Sequence, residues 1–296
     1  MKKILVGLLC MTIIIFNVFS QENELKMINV AIQTKDSIYQ IEILEHEVPV
    51  SLYIKYMGEL PEKKVEENST SVSNLLKSFS FGSAKKQETE EQKKSYYQEI
   101  GIHDNHPVVA ISFFDAIYFC NILSARNNLT PVYSVDGNTN VNFWNYTPHK
   151  GNHISGKVTQ DEEANGYRLP TLYEWLWVFK YDEKNFDYPG SDNIDEVAWY
   201  KKNSDGTTHE VAQKKPNSIG LYDLAGNVKE WIYEPFEQEP GEYGFSDPDH
   251  KFTTPVVGGG FNQSAFSCRP DTNFRTTPGL KQSTEDTGFR IVRTIK

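Results

Sequence analysis

The chain has little cysteine. Of three residues, Cys10 lies in the N-terminal apolar run, leaving Cys120 and Cys268. Two cysteines are too few for a disulfide framework; they either pair with each other or stand as buried free thiols. Clustered positive charge is missing too. Lys and Arg number 30 against 40 Asp and Glu, for a formal net charge of −10, and the pairs Lys201–Lys202 and Lys214–Lys215 are isolated. Phosphate binding needs Lys/Arg clusters, so a nucleic-acid partner is excluded and a solvated acidic surface is the plain reading. Beyond residue 20 no apolar run is long enough to cross a bilayer. No stretch repeats at the spacing of a solenoid.

What is present begins with a processing signal. Lys2–Lys3, the apolar run from Ile4 to Phe16, and Val18-Phe19-Ser20 ahead of Gln21 have the layout of a secretory leader, residues 1–20. The run is short for a spanning anchor. Cys10 follows Leu8–Leu9 instead of small residues, which disfavours a lipid anchor there. Loss of Lys2 and Lys3 takes the net charge to −12. The expectation is an exported protein, periplasmic, cell-surface or secreted. Residues 21–296 read as a single domain. Its 38% hydrophobic and 13% aromatic content supports a sizeable core, and 19 Gly with 14 Pro imply many turns. A polar, charged stretch at about 65–97 reads as a flexible insertion.

Within the domain, Ile28, Val30 and Ile32, then Tyr39, Ile41 and Ile43, alternate as two strands. After Pro49 the spacing turns helical, with Ser51 as cap and Leu52, Ile54 or Tyr56 inward. Ser112 and Asp115 fit a capping box that opens a helix over 112–126, with Phe113, Ala116, Ile117, Cys120 and Leu123 on one stripe. Tyr133–Val135 and Val141–Trp144, flanking Asp136–Gly137, read as a hairpin. Thr171 and Glu174 form a second box, starting a helix to about Lys180 with Leu172, Trp175, Leu176 and Phe179 inward. Past Tyr181 no regular element is expected before the closing strands; Asp192, Asp195 and Glu196 read as loop acids. His103 with His106, and His149 with His153, suggest metal ligands by spacing, but neither pair has a third ligand in view. Surface or packing roles are expected for all four.

The last third carries the densest motifs. Gly220–Trp231 (GLYDLAGNVKEW), Gly258–Arg269 (GGGFNQSAFSCR) and Thr287–Arg293 mix small residues, amides and aromatics too irregularly for a helix or a strand. Such composition marks rigid loops, where function tends to sit.

Four motifs occur in order: Arg168-Leu169-Pro170-Thr171 with Glu174-Trp175; Gly220-Leu221-Tyr222-Asp223 with Gly226-Asn227-Val228 and Glu230-Trp231; Gly258-Gly259-Gly260-Phe261; and Gly288-Phe289-Arg290. Together they resemble the formylglycine-generating enzyme family, also called the sulfatase-modifying-factor domain, over about residues 27–296. Helix 112–126 and the stretch from Glu47 to Met57 resemble the family's first helix and its opening. The resemblance implies an α+β, variant C-type-lectin-like fold, loop-rich, with two main helices and short sheets. It also implies structural calcium, held by the Asp223 side chain and the main-chain oxygens of Leu224, Gly226 and Val228, donors that suit Ca²⁺. The plain alternative is that Asp223 only supports a turn.

The chain departs from the family where the chemistry lies. The family enzyme oxidises a target cysteine to formylglycine with copper and oxygen, using two cysteines five apart after Gly-Gly-Ser. Here the Ser position is Gly260, the one thiol is Cys268, and Gln263 stands five residues before it. One thiol cannot make the two-thiolate site that suits Cu(I). Copper is therefore not expected, no catalytic residue is assigned, and Cys268 is the sole family-like candidate. The chain is identified as a divergent member lacking the paired active-site cysteines. The expected function is a non-catalytic, exported ligand-binding or cell-envelope interaction module, with a protein or glycan of the envelope as partner. Its face would be Asn262, Gln263, Ser264, Phe266, Arg269, Asp271, Asn273 and Phe274, where amides beside aromatics suit recognition. The alternative is a sulfatase-activating oxidoreductase acting on a cysteine of a target protein. The family's iron-dependent relatives need a further helical domain, for which 21–110 has no room.

Overall fold

The structure, a computed structural model, describes residues 25–58, 60, 103–150, 153–181, 186–233, 237–239, 242–243, 256–270 and 284–296. The leader and the 65–97 insertion lie outside the described residues, as do Asp271, Asn273 and Phe274. In chain order the elements are β1 (Met27–Gln33), β2 (Ile38–Leu44), α1 (Val50–Met57), α2 (Phe113–Arg126), β3 (Tyr133–Val135), β4 (Val158–Gln160), β5 (Tyr167–Arg168), α3 (Leu172–Phe179), α4 (Ile194–Val197), β6 (Lys229–Trp231), β7 (Glu237–Glu239), β8 (Glu242–Tyr243), β9 (Val256–Val257), β10 (Thr287–Phe289) and β11 (Val292–Ile295).

β1 and β2 pair antiparallel, with Val30 opposite Ile41 and Ile32 opposite Tyr39. Their alternation puts Val30, Ile32, Ile41 and Ile43 on one buried face and leaves Asn29, Ala31 and Gln40 in solvent. β11 adds to β2 and β5 to β11, giving the order β1-β2-β11-β5. The first strands are thus completed by the last one. A smaller sheet sets β10 parallel to β6 and β9 antiparallel to it, so the closing Gly288–Phe289 segment runs through the core beside Glu230 and Trp231.

Two hydrophobic clusters fill the interior. One gathers α2 with Tyr53, Trp144, Trp231 and Phe289; the other packs Trp175, Val178 and Phe179 of α3 against the inner faces of β1 and β2, with Leu221, Leu224 and Cys268. This α+β arrangement matches the fold expected from the sequence. Both capping boxes form: Ser112 accepts from Asp115 N–H and Thr171 from Glu174 N–H, each with the reciprocal bond, and each cap is worth roughly 1 kcal/mol. Glu174 also receives two bonds from Arg168 at 2.7 Å and one from Tyr39 Oη at 3.2 Å, so its carboxylate ties α3 to β5 and β2.

Several expectations need correction. α1 starts at Val50 with Pro49 as its N-cap and no side-chain cap bond; Ser51 lies inside the helix. Its buried residues are Val50 and Tyr53, while Leu52, Ile54 and Tyr56 are partly covered. Tyr133–Val135 pairs with Val158–Gln160, not with 141–144, which forms a 3-10 turn. The local Asp136–Gly137 turn closes only a single bridge, Val135 to Asn138, because burying Val135 and Val158 outweighs the nearer pairing. Asp195 and Glu196 lie in α4, a short helix capped by Asn193.

His149 is buried, and its Nδ1 lies 3.6 Å from Asp115 Oδ1. Asp115 also accepts from Tyr146 Oη at 2.8 Å, Ser112 Oγ at 2.6 Å and the His149 N–H at 3.0 Å. Burial raises its carboxyl pKa, but His149 and these donors outweigh burial and hold it below the ordinary range. A depressed folded pKa stabilises above the unfolded value of about 3.9 and is lost as pH falls through the folded one. Urea denaturation across acid pH should therefore show wild-type stability dropping where the Asp115→Asn variant, less stable at neutral pH, changes less. Parallel curves would refute this role.

Candidate functional site

The loop Asp223–Val228 turns sharply. Asp223, Gly226 and Asn227 all sit in the left-handed region, at φ of 56°, 78° and 57°. Asp and Asn tolerate it through short polar side chains. At Gly226 a Cβ would come within 2.3 Å of the Trp199 carbonyl oxygen, so only glycine fits.

Beside the loop lies a fully buried charge network. Arg290 donates from Nε to both oxygens of Glu230, at 3.0 and 2.9 Å, and from Nη2 to Oε1 at 2.7 Å. Its other donors reach the carbonyls of Leu44, Glu45 and Tyr222. Trp175 Nε1 donates to Glu230 at 3.1 Å. Glu47 accepts from Val228 N–H at 2.9 Å and from Asn227 Nδ2 at 2.8 Å. Asp223 accepts from Ala212 N–H at 2.7 Å. One guanidinium thus pairs with Glu230, and two further buried carboxyl groups, Glu47 and Asp223, lie close enough to feel its charge. Burial, with Asp223 and Glu230 nearby, pushes the Glu47 carboxyl well above the usual range. Burial likewise pushes Asp223 up to about 6, although the Ala212 N–H and Arg290 pull it down.

These buried carboxyl groups, set beside a run of main-chain oxygens, are donor chemistry that fits a hard divalent cation such as Ca²⁺. Among the described residues no group of three or more His, Cys, Asp or Glu side chains has metal-holding geometry. A cation here would rest on Asp223 with the carbonyl oxygens of Leu224, Gly226 and Val228.

The segment 256–269 is built directly on this loop. Gly226 N–H donates to the Gly258 carbonyl at 2.9 Å and Phe261 N–H to the Asn227 carbonyl at 2.8 Å. Ser204 Oγ donates to the Phe261 carbonyl, Lys201 N–H to that of Gln263, and Tyr188 Oη to that of Ala265. Held in this way, Asn262, Ser264 and Phe266 are exposed, Phe266 to 64%, while Gln263 and Arg269 are half-buried. Arg269 pairs with Asp187 at 2.5 Å and lies over the Tyr188 ring.

Cys268 points the other way. It is fully buried, with Sγ donating to the Ser264 carbonyl at 3.7 Å. A Cβ at Gly259, φ 74°, would lie 2.8 Å from that sulfur. Burial pushes the thiol up to about 12, against a smaller pull from the Gly226 main chain. Cys120 is free as well and sits in the other hydrophobic cluster. The histidine pairs are also accounted for. His106 is buried against Thr208 Oγ1 at 2.9 Å, His149 serves Asp115, and His103 and His153 are exposed.

Glu47, Asn227, Glu230 and Arg290 are the residues that sequence reasoning did not assign to the site. Asn227, Glu230 and Arg290 stand inside the four motifs that carried the family resemblance, and Glu47 opens the stretch that resembles the family's start. Their partnership spans 180 residues between Glu47 and Asn227, which no local pattern encodes.

With this geometry in place, the comparisons are specific. The sequence model of the family described as "Sulfatase-modifying factor enzyme 1-like domain" matches residues 20–295. Chaperone protein LppX of Paenibacillus barcinonensis is 37% identical over 150 residues, covering 44% of this chain and 52% of LppX. Serine/threonine-protein kinase Pkn1 of Chlamydia trachomatis is 30% identical over 138 residues, 44% of this chain and 22% of the kinase. The chain spans about half the length, or less, of these curated relatives. Among solved structures, Treponema denticola variable protein 1 superposes with a TM-score of 0.65 at 27% identity, covering 91% of this chain and 95% of that one. CarF (TM-score 0.59, 23% identity, 92% and 99% covered) and PvdO from Pseudomonas aeruginosa (0.52, 15%, 91% and 92%) share the fold.

Buried, protonated thiols react slowly with disulfide reagents. Native protein should therefore give almost no fast reaction with a thiol-exchange dye at pH 8, and Cys120 and Cys268 should both react after unfolding in guanidinium. Rapid native labelling that Cys268→Ala removes would contradict this burial.

Proposed function

The chain belongs to the sulfatase-modifying factor enzyme 1-like family, and we propose that it is a non-catalytic, exported member working as a ligand-binding or cell-envelope interaction module. The observation that carries this reading is the state of Cys268. The family's oxidation needs two thiolates to hold Cu(I). This chain offers one buried thiol in the 258–269 segment, with Gly260 and Gln263 where the resemblance puts Ser and the second Cys. Asn262, Gln263, Ser264, Phe266 and Arg269, with Asp271 and Asn273, form the binding face. An exposed aromatic amid amides and hydroxyls suits recognition of a protein or glycan. The likeness to proteins named as a chaperone and as a variable protein favours an interaction role over turnover. Export rests on the leader at 1–20.

The test is a Cu(I) titration of the exported chain against a competing chelator, with Cys268→Ala as control. Neither protein should bind copper stoichiometrically, and neither should convert the cysteine of a sulfatase peptide to an aldehyde. Stoichiometric copper lost in Cys268→Ala, or aldehyde formation, would establish the alternative, a sulfatase-activating oxidoreductase.

Calcium is the structural cofactor of this reading, held by Asp223 and the oxygens of Leu224, Gly226 and Val228. It would supply positive charge beside the buried Asp223 carboxyl. A cation that binds only the folded state stabilises it by about 2.7 kcal/mol at a hundredfold excess over its Kd. Chelation should therefore lower the melting temperature by several degrees, and Asp223→Asn should remove that difference. Equal melts with and without chelator would eliminate the site.

A further inference from the structure

Glu47 and Asn227 are both fully buried. Each peptide group of Asn227 is anchored: its N–H donates to the Trp199 carbonyl at 2.7 Å and its carbonyl accepts from Phe261 N–H at 2.8 Å. Its side chain is used at both ends. Oδ1 accepts from His209 N–H at 2.9 Å, while Nδ2 donates to Glu47 Oε2 at 2.8 Å and to the His209 carbonyl at 3.2 Å. The second Glu47 oxygen accepts from Val228 N–H at 2.9 Å.

These bonds act on the oxygens of the calcium loop through peptide planarity. In a trans peptide the carbonyl points opposite to the following N–H. Anchoring Asn227 N–H on Trp199 therefore aims the Gly226 oxygen the other way. Val228 is held from both sides, by Glu47 on its own N–H and by the Lys229 N–H, which donates to the Asp286 carbonyl at 2.7 Å. The Lys229 bond aims the Val228 oxygen, and the Glu47 bond fixes the peptide plane that precedes it. Both Glu47 oxygens are occupied by N–H donors, so Glu47 acts through the main chain and not as a ligand.

We propose that Glu47 and Asn227 are positioning residues for a calcium loop, a paired clamp that holds in place the Asn227–Val228 backbone between the Gly226 and Val228 oxygens and, through Phe261, the start of the binding face. This rests on the calcium reading above. The clamp has a donor–acceptor polarity that can be inverted. Glu47→Gln sets an amide donor against the Asn227 amide donor, and Asn227→Asp sets two carboxylates together. The double variant restores the match: the amide introduced at position 47 donates to the carboxylate introduced at position 227, and its carbonyl still accepts from Val228.

The experiment is calorimetric titration of CaCl₂ into chelator-treated residues 21–296, with melting temperatures measured alongside. Residues that orient metal ligands typically contribute 10–100-fold in metal affinity. Each single variant should lose about that much, and the double should recover most of it. Asn227→Gly, which keeps the left-handed backbone but lacks the side chain, should also lose affinity and carries the test where a single variant does not fold. Lower melting temperatures with wild-type calcium affinity would overturn the proposal, leaving a merely structural pair. A double variant no better than the singles would overturn the clamp. Absence of calcium binding in the wild type, or unchanged affinity in Asp223→Asn, would instead remove the calcium reading and this proposal with it.

Discussion

The buried guanidinium of Arg290 is the constraint on which the rest depends. Taking an ion pair out of water costs several kcal/mol per ion and is recovered only when every donor finds a partner. Arg290 meets that demand by drawing in the end of β2, Tyr222 of the loop, and Glu230 of β6. Trp175 of α3 closes the remaining side of Glu230. Elements from both ends of the chain are thereby fixed around one side chain. The same arrangement leaves Glu47 and Asp223 with main-chain and amide N–H groups as their hydrogen-bond donors: Val228 and Asn227 for Glu47, Ala212 for Asp223.

The 258–268 segment owes its shape to what lies under it. Its backbone is hung on Gly226, Asn227, Ser204 and Lys201, and its one thiol faces inward beneath Gly259. Turning Cys268 into the core makes it a packing residue; the outward positions are left to Asn262, Ser264 and Phe266. A scaffold of this kind can lose reactive groups at its surface and still keep a rigid face, because the rigidity comes from the main-chain bonds below.

Legibility in the sequence followed the range of the interaction. Strands at Ile28–Ile32 and Tyr39–Ile43 were readable because burial on one face imposes alternation. Both helices after Ser112 and Thr171 were readable because a capping box is confined to four residues. The pairing of Tyr133–Val135 with Val158–Gln160 was not, since the partner lies beyond a nearer and chemically plausible turn. The four motifs drew attention to these loops, yet local chemistry suggested a role only for Asp223 and its neighbours. Glu47, 180 residues from Asn227, and Arg290, 60 from Glu230, acquire theirs by contact.

The sequence by itself determined the helices, the alternating strands, the family, and the absence of a second thiol at the family's reactive position, all of which depend on residue identity and short spacing. Only the tertiary structure decided that Cys268 is sealed in the core, that Arg290 pairs with Glu230 in full burial, and that Glu47 and Asn227 hold the same loop. Burial and hydrogen-bond satisfaction belong to segments brought together in space, and a linear spacing carries no record of them.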